Sequence, residues 1–242
     1  MNQIEIIGPP GSGKSTIKRG LGNKPVIHSS DQVIRENIER DLLGNYKLAI
    51  DHISTPLYDY VLDKIWKYKY RDHYVREFKR EYSDLYRLII KEGNEDKREN
   101  YPRMYLNSAS KYMFVGEKSG GDDIHIFDEG LYQMASEMLR QSEENGYRYL
   151  QELPVPNYLL FVDATPETCL QRQKDREKKV ASSLRNCDYE TAINRLERYR
   201  SYYRTICEKS KLNSENIIKI DSESLTPEQC IRESVENISF PT

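Results

Sequence analysis

The eight residues Gly8-Pro9-Pro10-Gly11-Ser12-Gly13-Lys14-Ser15 constrain this chain more than any other feature. An apolar run over residues 3–7 precedes them, and a helical pattern over residues 15–21 follows. Glycines in such a loop let successive backbone N–H groups turn inward, and the helix N-terminus behind them adds the positive end of its dipole. Together they make a cradle for phosphate oxygens. Lys14 can reach the terminal phosphates of a nucleoside triphosphate, and the Ser15 hydroxyl suits Mg²⁺. The stretch from Gly8 to Thr16 is therefore the expected nucleotide-binding segment, with ATP and Mg²⁺ as the expected cofactors.

Further short apolar runs at residues 124–127, 158–162 and 217–220 read as buried parallel strands, with a weaker one at 25–28. Each is followed by helical pattern, so the expectation is a three-layer α/β P-loop NTPase fold with a five-stranded parallel sheet. Residues 29–116 carry little strand signal. Tyr58, Val61, Leu62, Ile65, Tyr70, Tyr74, Phe78, Tyr82, Leu85, Tyr86 and Ile89 fall at helical spacing, which predicts one long helix or two joined ones. A polar turn is expected at 91–100 and a further helix at 104–115. The chain thus reads as one domain, 1–242, with a helical, acceptor-binding insertion at 45–118 between the second and third strands.

Composition narrows the partners. A formal net charge of −2 gives no global footprint for nucleic acid. No apolar run approaches the roughly 20 residues of a membrane span. The four cysteines are scattered without a CxxC pair, so neither a zinc site nor a disulfide framework is expected. The expectation is a soluble, cytoplasmic protein without a membrane partner.

The third strand ends in Asp128-Glu129-Gly130. Ligands of parallel sheets bind at the carboxyl ends of strands, which places this acidic pair near the phosphate loop. Asp128 is the expected Mg²⁺ ligand beside Ser15, and Glu129 a candidate general base. The late chain holds no NKxD guanine-reading motif, which argues against a GTPase.

Two further segments carry a resemblance. Ser29-Ser30-Asp31-Gln32-Val33-Ile34-Arg35, with Gly44 beyond it, resembles a segment of the P-loop kinases grouped with polynucleotide kinase and zeta-type toxins. That resemblance implies that Asp31 takes the proton of the acceptor hydroxyl and that Arg35 sits on the acceptor side. The same residues also suit a helix N-cap. Asp163-Ala164-Thr165-Pro166-Glu167, with Arg172 and Arg176 further on, resembles thymidylate and deoxynucleoside kinases. There the Pro and Glu open a helix, and the arginines belong to a lid over the phosphates. Residues 216–221 and Thr226-Pro227-Glu228 fit the same group as a last strand and helix start, with the loop at 221–224 bordering the adenine. Asp128-Glu129-Gly130 departs from the Asp/Glu-Arg-Ser of deoxynucleoside kinases.

The resulting expectation is an ATP-dependent kinase whose acceptor is a small-molecule hydroxyl, nucleosides included, or a nucleic-acid 5′-end. The alternatives are an NTP-hydrolysing ATPase or switch and a nucleoside monophosphate kinase.

Overall fold

The structure, a computed structural model, describes residues 2–50, 55–95, 101–119, 123–127, 129–175, 180–181 and 184–238, with the backbone only at 42–50, 55, 93–95 and 101. Asp128 and Arg176 lie outside the described residues.

Five strands, β1 (Asn2–Ile7), β2 (Ile27–Ser29), β3 (Ile124–Phe127), β4 (Tyr158–Asp163) and β5 (Ile217–Asp221), form a parallel sheet in the order β2-β3-β1-β4-β5. All five runs read as strands in the sequence are present. On β1, Ile4, Glu5, Ile6 and Ile7 are all buried. Successive strand residues point to opposite faces, so burial of every one requires cover on both faces. Ile4 to Ile7 pair with Tyr158 to Phe161, and β4 pairs onward with β5 from Leu159–Ile217 to Asp163–Asp221.

The chain divides into two compact units. The first spans His28–His125 and the second comprises Asn2–Ile27 and Ile126–Thr242. In the second unit α1 (Lys14–Leu21) packs on α11 (Pro227–Glu236), while α7 (Leu131–Gln141), α8 (Glu143–Glu152) and α10 (Tyr189–Lys209) form another group, with α9 (Pro166–Lys174) against α10. The start signals act as local chemistry requires. The Thr165 hydroxyl accepts from Thr168 N ahead of Pro166, and Thr226 with Gln229 forms a reciprocal capping box ahead of Pro227.

The first unit is helical: α2 (Ser30–Ile50), α3 (Thr55–Ile65), a π-helical turn (Trp66–Arg71), α4 (Asp72–Glu81), α5 (Ser83–Glu95) and α6 (Tyr101–Lys118). The stretch expected as one helix or two is in fact interrupted twice. Tyr82, at φ −120° and ψ 56°, ends α4. The other interruption follows from spacing. Leu62, Trp66, Tyr70, Tyr74 and Phe78 are all buried and lie four residues apart. In an α-helix of about 3.6 residues per turn, a strict four-residue repeat drifts around the axis by some 40° per step. The wider π turn reverses that drift. Trp66, Tyr70 and Tyr74 can thus all set their edges on one ring, Phe114 of α6, with centroids at 5.3, 5.6 and 5.1 Å. The polar turn expected from residue 91 is helix as far as Glu95. Burial of Leu85, Leu88, Ile89 and Glu92 along one face outweighs the cost of Gly93, about 1 kcal/mol.

Candidate active site

The phosphate loop leaves β1 at Gly8 and enters α1 at Lys14. Gly11 has φ +93°, and a Cβ there would stand 2.3 Å from the carbonyl oxygen of Cys169 in α9. Both the backbone conformation and the close approach exclude a side chain. Gly13, at φ +104°, would meet nothing closer than Ser222 Cβ at 3.8 Å. Gly11→Ala should accordingly lower the melting temperature by about 5 °C or more. Gly13→Ala should lower it less, and thermal unfolding of the two variants side by side measures the difference. Lys14 Nζ donates to Gly8 O at 2.5 Å and Pro9 O at 3.0 Å, so the ammonium lies across the loop's own carbonyls. Ser15 is exposed at the first turn of α1, a turn without an acidic residue.

Arg172 closes one side of this loop. Its guanidinium donates to Ser222 O at 2.6 Å, Ser222 Oγ at 3.0 Å and Ser12 O at 3.4 Å. Ser222 Oγ lies 2.6 Å from Ser12 O and 3.0 Å from Asp163 O, so one hydroxyl ties the loop to the ends of β4 and β5. Beside this brace is a cavity of about 240 Å³, with Gly13, Thr16, Arg172, Ser222, Leu225 and Pro227 in its walls. The loop after β5 forms one wall, and its carboxylates hold its shape. Asp221 accepts from Ser224 Oγ at 2.8 Å and from Glu223 N at 3.0 Å, bonds that hold it below the usual carboxylate range. Glu223 accepts from the Thr168 hydroxyl at 2.8 Å and from Thr165 N at 3.0 Å, which lowers its pKa and fixes the loop to the start of α9.

The turn expected to carry the acidic pair opens α7. Glu129 is exposed and Gly130 is the N-cap. Glu5, 1% exposed on β1, reaches this helix start from below. It accepts from Tyr132 N at 2.8 Å, from Leu131 N and Gln133 N as well, and from Gln3 Nε2 at 3.1 Å. Burial pushes its carboxyl up to about 8, against the lowering effect of the three backbone N–H groups. A Cβ on residue 130 would stand 2.3 Å from Glu5 Oε2, which is why glycine occupies that position. Two residues into α7, Gln133 Oε1 accepts from Gly8 N at 3.3 Å, and its amide donates to the buried Tyr203 hydroxyl of α10. At the end of β4, Asp163 receives Arg200 of α10 through two bonds of 2.7 and 3.0 Å and Arg204 at 3.3 Å.

Asp31 and Arg35 belong to the helical unit. Ser29 Oγ, not Asp31, accepts from Gln32 N at the start of α2, at 3.2 Å. The Asp31 carboxylate accepts from Lys111 Nζ of α6 at 2.8 Å. Arg35 donates to Glu39 at 2.9 Å and Asp59 at 3.4 Å, and lies over the Tyr58 ring at 5.0 Å.

The structure therefore joins Lys14, the loop and Arg172 in one place with Ser222, from the 221–224 loop that the sequence sets beside the adenine, and adds Gln133 and Glu5, which sequence reasoning passed over, with Gly130, which it met only as a departure from a kinase pattern. Glu5 does leave a trace in the sequence, as a lone charge inside an apolar strand. Among the described residues, no group of three or more His, Cys, Asp or Glu side chains could hold a metal unaided, and no helix is long and apolar enough to cross a membrane.

No family model matches the sequence. The chain is 23% identical over 208 residues to a deoxyguanosine kinase of Dictyostelium discoideum, covering 82% of this chain and 69% of that protein. Among solved structures, the deoxyadenosine kinase of M. mycoides with bound dATP aligns over 98% of both chains at 15% identity, with a TM-score of 0.46. The phosphate loop on its parallel sheet makes this chain a P-loop protein, and over four-fifths of its sequence it is similar to a deoxyguanosine kinase.

Proposed function

We propose that this protein transfers the γ-phosphoryl group of ATP to a hydroxyl of a deoxynucleoside. The observation that carries the reading is a complete phosphate loop whose Gly11, Gly13 and Thr16 line one cavity together with Arg172 and Ser222. Its size suits the base and sugar of a nucleotide whose phosphates lie along residues 8–15. The acceptor class follows from the likeness to a deoxyguanosine kinase.

In this reading Lys14 leaves the Gly8 and Pro9 carbonyls for the β- and γ-phosphates, and the N–H groups of the loop hold the phosphate oxygens. Mg²⁺ is typically bound through one or two side-chain oxygens plus substrate phosphates, so an exposed Ser15 hydroxyl with one carboxylate, Asp128, is a fitting donor set. When bound, it neutralises charge on the phosphates. Asp31, oriented by Lys111, takes the acceptor proton as the acceptor oxygen bonds to phosphorus, and the bond to the β–γ bridging oxygen breaks to release ADP. Arg35 stands on the acceptor side, and Arg172 and Arg176 serve the nucleotide. Glu129 is the base only if water is the acceptor.

Release of ADP measured with a panel of deoxynucleosides, with nucleoside monophosphates and with no acceptor tests the reading. Turnover should require a deoxynucleoside. Asp31→Asn should keep ATP affinity and lower kcat by about a hundredfold or more. Equal turnover without acceptor, abolished by Glu129→Gln, would instead mean an ATPase. Turnover confined to monophosphates would mean a nucleoside monophosphate kinase.

A further inference from the structure

A carboxyl group in the middle of a buried central strand is costly, and chains keep one only where partners satisfy it. Glu5 sits between Ile4 and Ile6, both fully buried, and is itself 1% exposed. Apart from Gln3 of the same strand, its partners belong to no strand. They are the three N–H groups that open α7, donors that every helix start leaves without an intrahelical partner. The side chain of β1 thus supplies the cap that Gly130, lacking a side chain, does not. Gly130 in turn makes room for it, since any Cβ there would meet Glu5 Oε2 at 2.3 Å. Glutamate at 5 and glycine at 130 are two halves of one contact. A second tie lies beside it, where Gln133 Oε1 accepts from Gly8 N at 3.3 Å, directly at the mouth of the phosphate loop. Two ties thus run to the first turn of α7, one from Glu5 of β1 and one from Gly8 where the loop begins.

We propose that Glu5 is a positioning residue for phosphoryl transfer, pinning the first turn of α7 so that the Glu129–Gly130 turn is held in fixed relation to the phosphate loop. The proposal rests on the kinase reading for its effect on catalysis, and on the Glu5–α7 contact for its mechanism. Glu5 touches no reacting atom. Its influence is geometric, and displacements on the scale of 1 Å near a reacting centre can cost about a hundredfold in rate.

The test compares Glu5→Leu, which keeps the strand apolar and fills the space, with Glu5→Gln, which can accept the same N–H bonds. Glu5→Leu should lower kcat by about tenfold or more while the Kd for ATP, set by the loop, stays within about twofold. Glu5→Gln should recover most of that loss. Amide hydrogen exchange should show loss of protection at Leu131, Tyr132 and Gln133 in Glu5→Leu and its return in Glu5→Gln. Should Glu5→Leu fail to fold, Gly130→Ala strikes the same contact from the other side and should give the same drop in kcat at unchanged ATP affinity. Wild-type kcat in a folded Glu5→Leu, or in Gly130→Ala, overturns the proposal, as does unchanged protection of the α7 start. A wild-type enzyme that releases no ADP in response to any acceptor overturns the kinase reading instead. The exchange data then still decide whether Glu5 holds the turn.

Discussion

Lys14→Ala is expected to reduce turnover about a thousandfold or more, the scale seen when a preorganised charge facing developing negative charge is removed. The ammonium is the sole side-chain cation of the loop itself, and its hold on the Gly8 and Pro9 carbonyls keeps it over the loop. Nothing else in residues 8–16 can replace it, since the other side chains are Pro, Ser and Thr. The same two hydrogen bonds contribute about 1–3 kcal/mol each at most to folding, and Lys14 is half-buried, so the fold should survive. Single-turnover kinetics together with a melting curve check both halves. Turnover at the wild-type rate would remove the phosphate loop from the mechanism.

Arg172→Ala is the second large effect. The resemblance to thymidylate and deoxynucleoside kinases implies a lid role for Arg172, where it would stabilise the transferring phosphoryl group and its loss would appear in kcat. The geometry adds a different duty. The guanidinium joins Ser12 of the loop to Ser222 after β5 and forms part of the cavity wall. Truncation removes that wall and leaves Ser222 O without this donor. The KM for ATP should rise about tenfold or more, and kcat/KM should fall by about a hundredfold or more. Arg172→Lys should not restore it, because one ammonium cannot reproduce a planar fork that meets three oxygens at once. Steady-state kinetics over a range of ATP concentrations separates the two duties. A fall in kcat at constant KM would place the guanidinium on the reacting phosphates and make the brace incidental.

What the sequence disclosed and what it withheld divide along a physical line. The strands were legible because buried parallel strands are unbroken apolar runs, and the loop because its glycines are demanded by backbone geometry. Thr165-Pro166 and Thr226-Pro227 were legible as helix starts because capping is settled within four residues. Ser222 was not, since its partners Ser12 O and Asp163 O are backbone carbonyls 210 and 59 residues away and leave no mark on residue type. Gly130 appeared in the sequence only as a departure from a kinase pattern. Its reason is the Glu5 carboxyl, which approaches from another element. Nor were all the partners of Arg35 legible, since Asp59 and the Tyr58 ring come to it from α3.

The π turn at Trp66–Arg71 has a consequence for how this chain can be aligned and shortened. An uninterrupted α-helix through the same place would need one residue fewer to bring Tyr74 and Phe78 round to the same side as Leu62 and Trp66. A homologue lacking the wide turn should therefore show a single-residue gap between Ile65 and Asp72, with one of the four-residue spacings found here shortened to three. Such a gap would be an exchange of one helical pitch for another, with the ring of Phe114 still enclosed by the same three edges, and not the loss of a contact.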